Sequence, residues 1–323
     1  METREIRLAR RPHGEPVGED FELAVRELDE PGEGQVLVRN RYMSVDPYMR
    51  GRMNDRKSYV PPFELGKALQ GGAIGEVAGT GELVVHDRGW REHALLPADR
   101  LRRPAPLPHG VSASALLGAL GMPGMTAWVG LTEIAPIREG ETVFISAAAG
   151  AVGSVAGQLA KARGCRVIGS AGGPEKVRFA REELGYDEVF DYRADDPREA
   201  LAEGIDVYFD NVGGPQLEAA IGAMRRGGRI AVCGAVSQYN ATEPAPGPRN
   251  IGLMVGKRVN MRGFIVSDHE ARAGEFQEEV GGLIAAGRLK LAETVVEGVI
   301  EAAPGAFIDM LRGRYLGKVV VAL

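Results

Sequence analysis

The sequence predicts an α/β protein, with a doubly wound parallel sheet in the middle of the chain and β-rich segments at both ends. Three observations carry this. Residues 143–153, Val-Phe-Ile-Ser-Ala-Ala-Ala-Gly-Ala-Val-Gly, pass from a short apolar strand through a turn of small residues into a helical pattern over Ser154–Arg163. Strand and helix patterns then alternate to about Leu291. Before Pro108 and after Ala292, segments are instead short, alternating and broken by Gly and Pro. A strand that stops at such a turn and feeds a helix is the opening of a Rossmann-type βαβ unit. Small residues let a pyrophosphate approach the backbone, and the helix start offers N–H groups and the positive end of its dipole. The turn departs from G-x-G-x-x-G: Ala147 or Ala148 stands where the first glycines are expected, while Gly150 and Gly153 remain.

Composition bounds the reading. A chain of 323 residues exceeds one typical core, so two domains are expected. Hydrophobic content of 44%, 26% charge and 45 glycines fit a folded α/β protein rich in tight turns. The net charge of −5 leaves no footprint for nucleic acid. Its densest basic group, Arg50, Arg52, Arg56 and Lys57, is offset by Asp46 and Asp55. No apolar run reaches the roughly 20 residues needed to span a bilayer, and Met-Glu-Thr-Arg-Glu does not resemble a signal peptide. Cys165 and Cys233 fall in strand-like segments, which points to buried thiols in a reducing compartment, the cytoplasm.

The elements follow in order. Residues 35–39, 75–81 and 90–96 read as strands of a small, partly open barrel. After the first βα unit come a strand at 166–170, a helix over Pro174–Leu184, a strand at 188–192 and a short helix from Pro197. A strand at 205–210, a helix over Gln216–Met224 and strands at 228–234 and 258–266 complete six parallel strands. The chain then returns to short strands, ending in Lys318–Leu323.

The second strand of the unit bears on which dinucleotide is bound. NAD sites commonly place an acid there for the ribose hydroxyls, whereas a 2′-phosphate needs cations and donors. Here Val167-Ile-Gly-Ser-Ala-Gly-Gly-Pro-Glu-Lys has no acid before Glu175; Lys176 lies in the first helical turn, and Tyr192 follows the third strand. NADP is therefore expected, with a solvated surface lysine as the alternative reading of Lys176.

The strings Ser44-Val-Asp-Pro-Tyr-Met-Arg-Gly-Arg-Met, Phe209-Asp-Asn-Val-Gly-Gly and Cys233-Gly-Ala-Val-Ser-Gln-Tyr-Asn are long and occur in this order. With Gly121-Met-Pro-Gly-Met-Thr-Ala-Trp, Glu175-Lys-Val and Leu316-Gly-Lys they span nearly the whole chain. In these segments the chain resembles the zinc-independent medium-chain dehydrogenase/reductases, in the branch of prostaglandin reductases and alkenal double-bond reductases. The resemblance implies a GroES-like catalytic domain from residues 1–118 and 292–323, with an NADP-binding Rossmann domain, 119–291, inserted in it. It implies that Gly150, Ala151, Val152 and Gly153 hold the pyrophosphate, with Lys176 and Tyr192 at the 2′-phosphate. It places the Asn211 amide towards the cofactor, Cys233, Gly234, Ser237 and Tyr239 beneath the nicotinamide and ribose, and Phe264 and Val266 beside the carboxamide. Two departures stand out. Tyr315 occupies a position where the family often has Asn at the cofactor. Gly173-Pro174 stands where relatives offer Ser near the 2′-phosphate, so weaker NADPH binding is expected. The resemblance also implies a homodimer, for which an edge strand near 258–266 offers a route.

No metal is expected. The first 164 residues contain no cysteine, and His13, His86, His93, His109 and His269 lack ligand spacing. Without a metal to polarise an alcohol, the chemistry that fits is hydride transfer to an electron-poor C=C bond of an enone or alkenal. Tyr239 matches the family's active-site tyrosine as donor to the developing oxyanion, and Tyr48 is the second candidate; either can instead be a capped core aromatic. Arg50 and Arg52 are expected to brace the domain junction or sit near cofactor phosphate. His269 is a pocket residue or lies beside a helix cap made by Ser267 or Asp268. The proline-rich loop 242–249 is an entrance wall or a plain connector. An NADPH quinone reductase and a non-enzymatic NADPH-binding protein are the alternative functions.

Overall fold

The computed structural model describes residues 1–323. One unit comprises 1–117, 293–315 and 319–323, and the other 118–292 and 316–318.

In the first unit β1 (Glu2–Leu8) pairs antiparallel with β2 (Phe21–Glu27). β3 (Gln35–Ser44) is followed by helix α1 (Tyr48–Arg52), then β4 (Ala73–Val77), β5 (Leu83–His86) and β6 (His93–Pro97). β3 pairs antiparallel with both β4 and β6. An aromatic cluster organises this unit's core: Phe21 stacks on Trp90 at 6.0 Å, and Phe307 meets both edge-on. That cluster corrects the strand expected from Trp90. The indole is fully buried and the backbone turns left-handed there, with φ 61°, so the ladder begins three residues later, at His93. A left-handed turn at a bulky residue is costly, and packing of the buried ring between Phe21 and Phe307 is what holds it.

In the second unit helix α2 (Met122–Val129) precedes β7 (Thr142–Ile145), α3 (Gly153–Ala162), β8 (Arg166–Ala171), α4 (Pro174–Glu182) and β9 (Glu188–Asp191). Next come α5 (Pro197–Ala200), β10 (Ile205–Asp210), α6 (Gly214–Ala223), β11 (Met224–Val232), α7 (Leu253–Lys257), β12 (Asn260–Gly263) and α8 (Ala273–Ala285). The six strands are all parallel, in the order β12-β11-β10-β7-β8-β9. The order reverses between β7 and β10, and ligands bind outside the carboxyl ends of strands at such a point. β7 is buried at every residue, because helices cover both faces of a parallel sheet. Phe144 of β7 stacks on Tyr208 of β10 at 4.7 Å.

The last parallel strand is shorter than expected. Arg258 adopts φ 54° to close α7, so β12 begins at Asn260, and Phe264–Val266 run on beyond the sheet. β12 is an edge strand whose four residues are all exposed. The helix expected over Gln216–Met224 starts two residues earlier, at Gly214, and Met224 already belongs to β11.

The chain then returns to the first unit with β13 (Glu293–Val296) and α9 (Ala303–Leu311). β14 (Lys318–Ala322) pairs antiparallel with β3, placing Val320 opposite Ser44.

Candidate dinucleotide and substrate site

The phosphate turn is held open by three contacts. Gly150 N–H donates to Ala147 O at 2.9 Å, and Ser154 N–H donates to Gly150 O at 2.9 Å. Ala147, where the sequence lacks its glycine, takes φ 53°, a left-handed conformation that costs an alanine roughly 1–2 kcal/mol. From the far end of the chain, Gly317 N–H donates to Ala149 O at 2.8 Å, pairing Leu316-Gly-Lys with the turn. The N–H groups of Ala151, Val152 and Gly153 find no acceptor in the protein. Three free donors lie at the start of α3, a ten-residue helix, where backbone N–H groups and the helix dipole favour an anion.

Glycine at 153 and 157 is dictated by contact. A Cβ at Gly153 would lie 2.2 Å from Ala147 O, and one at Gly157 would lie 2.1 Å from the ring of Tyr186. Tyr186 is buried, and its hydroxyl donates to Gly153 O at 2.7 Å, tying the helix start to the next layer.

At the neighbouring strand end, sequence reasoning did not single out two residues that build the site. Ser146 is fully buried at the end of β7; its Oγ accepts the Asn211 N–H at 2.9 Å, and its carbonyl accepts the Asn211 side-chain NH2 at 2.8 Å. One of the two amide N–H groups of Asn211 is thus held by the β7 end. Asp210, also fully buried, takes the Tyr208 hydroxyl, Val212 N–H and Gly213 N–H on one carboxylate oxygen. Burial raises its pKa despite these donors. Their signal was present in V-F-I-S and F-D-N-V-G-G: a polar residue ending an apolar parallel strand must find partners in the turn that follows.

The β11 end folds over this turn. Cys233 and Gly234 N–H both donate to Asp210 O, and Val236 N–H donates to Asn211 O at 3.2 Å. Ser237 Oγ donates to Val212 O. The Tyr239 hydroxyl lies over Gly234, where an added Cβ would be 3.2 Å from it. Phe264 meets Phe209 edge-on at 6.4 Å, and Val266 opens the helical turn after it. Asn211, Cys233, Gly234, Ser237, Tyr239 and Phe264 are therefore gathered at the carboxyl ends of β10 and β11. Lys176 and Tyr192 belong to the same unit, beyond β8 and β9.

The cysteines are not nucleophiles. Burial pushes the Cys165 thiol up to about 11, and burial with the nearby Asp210 charge pushes Cys233 up to about 12. Both remain protonated near neutral pH.

Tyr48 and Tyr315 lie in the first unit, packed against its hydrophobic core. Burial, then the Asp46 carboxylate, raises the Tyr48 phenol well above its ordinary value, which favours the neutral phenol, able to donate a hydrogen bond. Arg50 is a brace: its guanidinium, itself buried, donates to Gly14 O at 2.7 Å and Asn54 Oδ1 at 2.8 Å. Arg52 lies over Phe63 and donates to Pro61 O at 3.0 Å and Gln70 Oε1 at 3.1 Å.

Three of the five histidines have local partners. His86 Nδ1 accepts Arg88 N–H at 3.0 Å, His93 Nδ1 lies 3.2 Å from Thr3 Oγ1, and His269 Nδ1 lies 3.1 Å from Glu133 Oε2. Glu133 also binds Arg272, so His269 sits in an ion-pair cluster.

Two family models match, one described as the N-terminal domain of oxidoreductase over residues 4–103 and one as zinc-binding dehydrogenase over 151–284. The NADPH-dependent curcumin reductase of Escherichia coli is 44% identical, the alignment covering 97% of this chain and 95% of that protein. The 2-alkenal reductase (NADP(+)-dependent) of Nicotiana tabacum is 41% identical, over 90% and 88% of the two chains. The crystal structure of CurA from Vibrio vulnificus in complex with NADPH superimposes with a TM-score of 0.92 at 40% identity, covering 99% of this chain and 98% of that one. On this evidence the chain belongs to the medium-chain dehydrogenase/reductase family, in the branch that holds the curcumin, prostaglandin and 2-alkenal reductases.

Proposed function

We propose that this protein is an NADPH-dependent, zinc-independent reductase of the C=C bond of α,β-unsaturated ketones and aldehydes. The observation that carries the reading is the Tyr239 hydroxyl poised over Gly234 at the β11 end, in the same unit as three unpaired N–H donors at a phosphate turn. The cofactor is NADP(H): relatives over nearly the whole chain are named as NADPH- or NADP-dependent, and no acid ends β8 to meet a ribose.

Bound NADPH supplies a hydride. The chain's own residues handle the rest of the site. Ala151, Val152 and Gly153 N–H groups hold the pyrophosphate, and the Asn211 amide and Phe264 border the nicotinamide. When the β-carbon of an enone takes a hydride, the C=C electrons move towards the carbonyl oxygen, and the α-carbon then takes a proton. Tyr239 donates a hydrogen bond to that oxygen as its charge grows, the term that most lowers such a barrier. Tyr48 is the second donor. Neither cysteine competes for the electrophilic β-carbon, because both thiols stay protonated.

The test is isotopic. With but-3-en-2-one and NADPH deuterated at C4, the saturated ketone should carry deuterium at the β-carbon, as read by NMR. Deuterium in an alcohol CH, or no turnover with any enone or alkenal, would refute the reading.

A further inference from the structure

A 2′-phosphate needs more than the half-buried Lys176, and the loops after β8 and β9 provide a second cation. Gly172 and Gly173 carry no side chains, and the space they leave is taken up from the opposite loop. A Cβ on Gly172 would lie 2.9 Å from the Tyr192 hydroxyl and 3.1 Å from Arg193 Nε; one on Gly173 would lie 3.9 Å from Arg193 Nη1. Asp191 locks the two loops together, its Oδ1 accepting both the Gly173 N–H and the Arg193 N–H at 3.0 Å. That oxygen is therefore engaged by backbone donors.

Lys176 and Arg193 lie close enough to repel one another, and the Arg193 guanidinium lies over the Tyr192 ring. Burial and then the Arg193 charge lower the Lys176 pKa, with exposed Glu175 opposing weakly. Two adjacent cations with a phenol beside them, at the start of the nine-residue helix α4, form a site whose chemistry suits a phosphate. The loop as built cannot gain a hydroxyl at 173, because φ there is 92°, a region that suits glycine.

We propose that Arg193, reaching over Gly172 beside Lys176, is the second cation of the 2′-phosphate site and a determinant of NADPH preference over NADH in this chain. This rests on the NADP(H) reading above. It reverses the weaker binding expected from the loss of serine at Gly173, since a guanidinium binds phosphate more strongly than a hydroxyl.

Calorimetric titration with 2′,5′-ADP and 5′-AMP tests it without turnover. Wild type should bind 2′,5′-ADP at least about tenfold more tightly than 5′-AMP. Arg193→Ala should lose about tenfold in affinity for 2′,5′-ADP while 5′-AMP changes less than about twofold, the weight of one charge-assisted contact. Arg193 is exposed, so folding is not at stake, and unchanged thermal melting would verify this. If Lys176→Ala loses the preference and Arg193→Ala keeps it, or if Arg193→Ala weakens both ligands equally, the role of Arg193 is overturned while the cofactor reading stands. If wild type shows no preference, the NADP(H) reading itself falls.

Discussion

Gly153→Ala is expected to weaken dinucleotide binding severely. The new Cβ would sit 2.2 Å from Ala147 O, 2.9 Å from Ala147 C and 3.0 Å from Ala148 Cα. These are backbone atoms, and the turn cannot yield to them as a flexible side chain would. Ala147 is already left-handed, and Ala148 N–H is fixed to Ser170 O at 2.9 Å, so the helix start must move instead. Moving it misaims the Ala151, Val152 and Gly153 N–H groups. Two charge-assisted hydrogen bonds lost together amount to about 3 kcal/mol, or a roughly hundredfold weaker affinity for NADPH. Overpacking should also lower folding stability by about 2 kcal/mol. Gly256→Ala is the matched control, since a Cβ there meets nothing within 4 Å. Calorimetry and thermal melting check both; a Gly153→Ala protein that binds NADPH like wild type would contradict the account of the turn.

The second large effect is chemical. Tyr239→Phe removes the proposed oxyanion donor but keeps the ring that packs near Gly234. Loss of one such donor typically costs on the order of 10²–10³ in rate. With an enone, kcat should fall by about that factor while NADPH affinity changes little. A quinone is reduced more readily and depends less on oxyanion stabilisation, so its turnover should fall less than about tenfold. Equal losses on both substrates would point to a structural role for Tyr239. An undiminished enone rate would remove it from the mechanism and leave Tyr48 as the donor.

What was legible in the chain, and what was not, follows from the range of the interactions. The parallel sheet could be read because its strands are apolar on both faces and end at Gly-rich turns, as at Val143–Gly153, and the comparisons agree with the family named from the long motifs. Strand ends set by tertiary packing could not. Trp90 turns left-handed because its ring is trapped between Phe21 and Phe307, residues distant in sequence. Arg258 leaves the β region to close α7, which shortens β12. In the site, the glycines and Tyr239 stood out as motif letters, whereas Ser146 and Asp210 act through buried hydrogen bonds whose one sequence signal is a polar residue ending an apolar strand. Arg193 was silent because its meaning depends on two missing side chains in another loop. The absent serine was read as a loss, and only the approach of the guanidinium to Gly172 gives it a replacement.

The claim on which the rest depends is that the β7–α3 turn grips the diphosphate of a phosphorylated nicotinamide. A crystal structure of this protein grown with NADPH tests it most directly. The account predicts diphosphate oxygens within hydrogen-bonding distance of the Ala151, Val152 and Gly153 N–H groups. A turn left empty beside fully occupied cofactor elsewhere, or a zinc ion tightly held where the nicotinamide should lie, would contradict it.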